Sequence, residues 1–175
     1  MNSRRLRSGL QSGATLLEAI GFLGVAAVVI TAMGAMIAFA FRDAQINQVG
    51  VEVVKIRSNV QRIYSLSNLS FPPAGTMTQS MITAKVFPTT LAVDAGANTV
   101  TNAFGGSVTV DGLAGNQFDV TYNGLPNDVC VQLLASVAGW EKVSINGSAT
   151  SVTSINAAAE ACTEGSNTIV WVGKV

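Results

Sequence analysis

Histidine is absent from all 175 residues, which removes the commonest general base and a leading metal ligand. Charge is sparse as well: 11% of residues are charged, and ten basic residues balance ten acidic ones. No basic patch of the kind nucleic acid requires occurs, so no nucleic-acid partner is expected. The chain has no glycine loop followed by lysine to cradle a phosphate, and no serine in a nucleophile-elbow context. Asp94, Asp111, Asp119 and Asp128 are scattered among expected turns, where solvated carboxylates are the simpler account. No catalytic set, metal site or cofactor emerges, and the chain is not expected to be an enzyme. Proline is scarce too, with four residues and the first at position 72. Nothing before Pro72 therefore forces a helix to stop.

What the chain does have is a long uncharged run, Ala19 to Phe41, in which Thr31 is the single conventionally polar side chain. At about 1.5 Å per residue such a run crosses the hydrocarbon core of a bilayer as one helix. A buried core helix is the alternative, but soluble cores seldom need an uncharged run of that length. Residues 1–13 carry Arg4, Arg5 and Arg7 and no acid, which keeps them cytoplasmic while the rest crosses. A secretory signal peptide, cut near Ala38-Phe39-Ala40, is a second alternative. The apolar run is too long for it, since such signals need roughly 7–15 apolar residues. Glu18 lies at the N-terminal edge of the run. A carboxylate at a membrane boundary costs a few kcal/mol on insertion scales and usually has a partner or a function. Capping of the helix N-terminus, where the dipole favours negative charge, is the plainer role.

The junction Gly13-Ala14-Thr15-Leu16-Leu17-Glu18 resembles that of type IV prepilins. A basic leader, a glycine at the cleavage point, a small first mature residue and a glutamate at the fifth mature position precede a long apolar helix. Each feature alone is weak, and their joint spacing is specific. The resemblance implies a leader of residues 1–13, cleavage between Gly13 and Ala14 by a prepilin peptidase, and N-methylation of Ala14. It also implies that Glu18 serves assembly by pairing with the free Ala14 amine of a neighbouring subunit.

Beyond Phe41 the pattern becomes amphipathic. Ile46, Val49, Val53, Ile56, Val60 and Ile63 recur three and four apart, with Gln48, Glu52, Lys55, Ser58 and Gln61 expected largely elsewhere. One helix is predicted from about Ala14 to about Leu69, ended by Phe71-Pro72-Pro73-Ala74-Gly75. Gly21, Gly24 and Gly34 are its weak points. The following residues predict a short helix over Thr78–Lys85 with Met81, Ile82 and Val86 inward, then mostly loop to Gly106, with Asn98–Phe104 extended. Strands are predicted at Ser107–Val110 and Gln117–Tyr122, with Asp111-Gly112 and Gly115-Asn116 read as turns. A helix starts at Pro126-Asn127-Asp128, with Val129, Leu133, Leu134 and Val137 on its apolar side. Trp140–Ile145 and Thr168–Val172 read as further strands, the last apolar enough to be central.

Cys130 and Cys162 lie in the part expected to be exported, where an even pair reads as a disulfide, with two buried thiols as the alternative. Type IV pilins are similar here, with a disulfide-bounded C-terminal region on an antiparallel sheet. The stretches Asn102–Val110 and Pro126–Cys130 resemble the type IVb subclass most, especially thin-pilus subunits of conjugative plasmids. Alanine rather than phenylalanine as first mature residue, and an apolar helix without proline, depart from the commoner type IVa pattern.

The expected fold is thus α+β: a long N-terminal helix packed on an antiparallel sheet. Residues 14–70 form the helix, with 14–41 as its membrane or filament-core part, and residues 71–175 form the globular head. The resemblance implies a structural subunit of a type IV pilus, polymerised with copies of itself by inner-membrane assembly machinery. The precursor would reside in the inner membrane and the filament on the bacterial surface, for attachment or conjugative mating contact. A minor pilin, a type II secretion pseudopilin and a single-pass anchored periplasmic binding domain are the rival readings.

Overall fold

The computed structural model describes residues 15–66, 75–136, 139–149, 155–163 and 165–175. The chain divides between Arg42 and Asp43 into two compact units. One helix, α1 (Leu16–Leu66), contributes residues to both. The predicted proline stop after it, and Val137, lie outside the described residues.

Within the second unit, α1 is held by its apolar stripe. Val49, Val53, Ile56 and Val60 are fully buried and Ile46 is nearly so, which is the face the three-and-four spacing predicts. Glu52 departs from the expectation: it is 2% exposed. Its position explains this, because three residues after Val49 and four before Ile56 is the same helix face.

Short elements follow: β1 (Gly75–Thr76), α2 (Thr78–Thr83), β2 (Ala92–Asp94) and β3 (Thr99–Thr101). Met81 and Val86 are buried as expected, and Thr78 with them. The Thr78 hydroxyl accepts from Val110 N at 3.0 Å, and Met77 N donates to Val110 O at 2.9 Å, fixing α2 to the sheet. The region expected to be mostly loop contains a two-stranded hairpin, β2 with β3. Its turn is built by Asp94, whose Oδ1 accepts from the amides of Gly96 and Ala97.

The main sheet adds β4 (Val108–Leu113), β5 (Gln117–Leu125), β6 (Lys142–Ile145), β7 (Ser148–Ala149) and β8 (Asn167–Lys174). Its order is β1-β4-β5-β8-β6-β7, with every pair antiparallel. The apolar last strand is central, as expected. Asp111-Gly112 is not a turn: both residues stay in β4, opposite Asp119 and Phe118 of β5. The turn between these strands is at Gly115 and Asn116, both at positive φ.

Alternation along β5 and β8 sorts the side chains. Phe118, Val120, Tyr122, Ile169 and Trp171 are buried on one face, with Tyr122 and Trp171 edge to face at 5.7 Å. Asp111, Asp119, Val172 and Lys142 form a row on the other. A helix from α3 (Asn127–Ser136) starts at the predicted place and buries Val129 and Leu133. A further helix, α4 (Ile155–Ala161), precedes Cys162. Together these elements make the α+β fold that the sequence implies.

Candidate functional site

Up to Arg42, α1 presents apolar side chains in every direction. Leu16 and Leu17 are more than 80% exposed, and Phe22, Val28, Phe39 and Phe41 about as open to their surroundings. A helix apolar on all sides needs lipid or other helices around it. Among the described residues it is the one helix long and apolar enough to cross a membrane. Its internal polar groups suit such surroundings. Thr31 Oγ1 donates to Ala27 O at 2.7 Å, so the one hydroxyl in the run is satisfied within the helix.

The N-terminal end was expected to offer Glu18 as either cap or assembly residue. Thr15 does the capping: its Oγ1 accepts from Glu18 N at 3.3 Å, and its carbonyl accepts from Ala19 N at 3.1 Å. Thr15-x-x-Glu18 is the spacing of a capping box, a signal already present in the sequence. Among the described residues the Glu18 carboxylate accepts no hydrogen bond, so it stays available to a donor from elsewhere. Gly13 and Ala14 lie outside the described residues.

In the globular unit Cys130 of α3 is joined to Cys162 by a disulfide, with Cα atoms 6.0 Å apart. Asn167 reinforces this corner from within. Its Oδ1 accepts from Thr163 N at 2.8 Å and Asn146 Nδ2 at 2.9 Å, while its Nδ2 donates to Leu125 O and Thr163 O. A fully buried amide with this many partners costs little to bury and fixes both the turn at Asn146 and the segment after Cys162.

Glu52 is the buried charge of the core. Gln48 Nε2 donates to its Oε1 at 2.9 Å, and the Tyr122 hydroxyl donates to Oε2 at 3.4 Å. Burial pushes the Tyr122 pKa above the ordinary phenol value, and the Glu52 charge and hydrogen bond add to it. The phenol therefore remains a donor throughout the working pH range. This contact ties the helix to the sheet and carries no reacting group.

Asp111 and Asp119, expected to be solvated turn carboxylates, instead face each other across β4 and β5. Partial burial, helped by the neighbouring Asp111 charge and offset in part by the backbone amides of both residues, raises the Asp119 pKa to about 6. Among the described residues no three His, Cys, Asp or Glu side chains come together to hold a metal ion.

An apolar helix with a free carboxylate at its head, continuing onto a disulfide-closed antiparallel sheet, defines a pilin. The family model described as "PilS N terminal" matches residues 43–174. The chain therefore belongs to this family of type IV pilins. No curated protein matches it significantly.

Proposed function

We propose that this pilin is made as a precursor, cut after Gly13 by a prepilin peptidase and N-methylated on Ala14. Residues 14–41 then hold it in the inner membrane until the assembly machinery extracts it. Copies of the chain polymerise through this helix into a surface filament for attachment or conjugative mating contact, with residues 71–175 as its globular part. The observation that carries this reading is the free Glu18 carboxylate at the head of a helix exposed on all sides.

In an apolar layer an unpaired charge is costly and a nearby opposite charge is strongly favoured. The Ala14 amine, created by cleavage and positive near neutral pH, is that opposite charge on an adjacent subunit. Their pairing neutralises both groups as lipid contact is replaced by contact between helices, and it sets the axial stagger. Removing one partner leaves the other buried and unpaired, a loss of roughly 3–5 kcal/mol for buried pairs.

The test is replacement of Glu18 in the sole subunit. E18A and E18Q are expected to give processed, membrane-resident protein with few or no filaments, and E18D partial assembly. Filaments at normal yield from E18A would contradict the pairing.

A further inference from the structure

The globular unit carries unsatisfied polar groups of opposite charge on opposite faces of one sheet. On the helix face, the Arg57 guanidinium carbon stands 5.2 Å from the centroid of the Trp140 ring. Gly139, at φ +89°, makes room for it: a β-carbon there would stand 2.9 Å from Arg57 Nη1. Trp140 in turn packs edge-on against the buried Phe118 at 6.1 Å. Among the described residues, Arg57 Nε and Trp140 Nε1 are buried donors with no acceptor.

One residue along β5 from Phe118 is Asp119, which the strand's alternation turns to the other face. Among the described residues its Oδ1 is a buried acceptor with no donor, and Asp111 is its cross-strand partner. Neither Arg57 nor Asp119 has an ion-pair partner among the described residues.

A guanidinium stacked on an aromatic ring keeps its planar fork of donors for a carboxylate, the geometry in which arginine binds best. Because the sheet separates the two groups within one chain, they can meet only between chains. A contact between two different patches of identical chains is head-to-tail, and repeats into a ring or an open filament rather than a closed dimer. We propose that Arg57, stacked on Trp140, receives the Asp119 carboxylate of a second copy of this chain, joining globular units along the filament. Asp111 strengthens the attraction by placing a second negative charge beside the first. The contact rests on the polymer reading above and adds to the helix-borne assembly a docking surface of the globular unit.

The test uses filaments sheared from cells producing the full chain. In R57K filaments, a zero-length carbodiimide is expected to couple the introduced amine to Asp119 of another copy, seen as one cross-linked peptide pair by mass spectrometry. Coupling only to a different carboxylate, or none in filaments that form, would overturn the contact. R57E and D119K are each expected to lower filament yield at least tenfold, with recovery in R57E/D119K. Wild-type yield from either single reversal would also overturn it. If the wild-type chain forms no filaments, the polymer reading itself fails, which is a separate result.

Discussion

Asp119 shows how strand geometry changes the meaning of a residue. In the sequence it falls inside the predicted strand Gln117–Tyr122, between the apolar Phe118 and Val120, where a solvated carboxylate is the simple expectation. Pairing of β4 with β5 places it instead half-buried beside Asp111, and its pKa rises to about 6. Lys174 on the diagonal of β8 and Lys142 beyond Val172 share that face, and neither forms an ion pair with it. The folded state therefore holds the proton more tightly than the unfolded chain. This stability is fully present below about pH 4, the unfolded value, and is lost as pH rises through about 6. D119N should raise the urea-unfolding free energy of the disulfide-intact protein at pH 8, by on the order of 1 kcal/mol after allowing for solvent screening, and change it little at pH 4. An equal gain at both pH values would show that the Asp119 pKa is not raised in the folded protein. Gly106 is decisive in a different way: a β-carbon would stand 1.7 Å from Asn123 O. The loop can only open to admit one, so G106A should lower the thermal midpoint clearly, whereas G105A, in open space, costs only its positive φ. Comparable midpoints for the two variants would refute this. Glu52 escaped the sequence reading because its charge argued against a position that helical spacing alone would have placed inward.

At the level of elements, those with strong periodicity were legible. The stripe from Ile46 to Val60, the α3 start after Pro126 and the apolar β8 all stand where the residues put them. What escaped are β1 and β7, two residues each, and the hairpin partner β2. Such pieces exist only through the strand beside them, and no local propensity announces them. Ala-rich α4 hides within a Ser, Thr and Asn-rich stretch, and the disulfide fastens the segment just after it. With the bonded cysteines 32 residues apart, the chain-entropy model gives roughly 3–4 kcal/mol of stabilisation. C130S or C162S should lose about that much in urea unfolding and reduce filament yield. Denatured, unreduced wild-type filaments should show no labelled thiol, and stoichiometric labelling would contradict the bond. In the free chain α1 runs unbroken through Gly34, with open space around its α-carbon. Glycine weakens a helix by about 1 kcal/mol relative to alanine, so backbone stretching in the filament is expected there. A filament map with continuous helix from Ala32 to Met36 would refute it.

For the whole molecule, the N-terminal part carries its signals more openly than the rest. Uncharged length, an edge carboxylate and the arginines of residues 1–13 are composition-level signals, readable without knowing any contact. The Arg57 and Asp119 surfaces are the opposite case: they depend on which face a strand residue takes and on which hydrogen-bond partners the described residues leave out, and only the folded structure reveals either. The central claim is that the chain works as a processed subunit, whose new N-terminus meets Glu18 of a neighbour. Its most direct test is the intact mass of the protein in sheared filaments. The account requires loss of residues 1–13 and gain of one methyl group on Ala14. Filaments composed of full-length chains, or protein at full-length mass confined to the membrane, would contradict it.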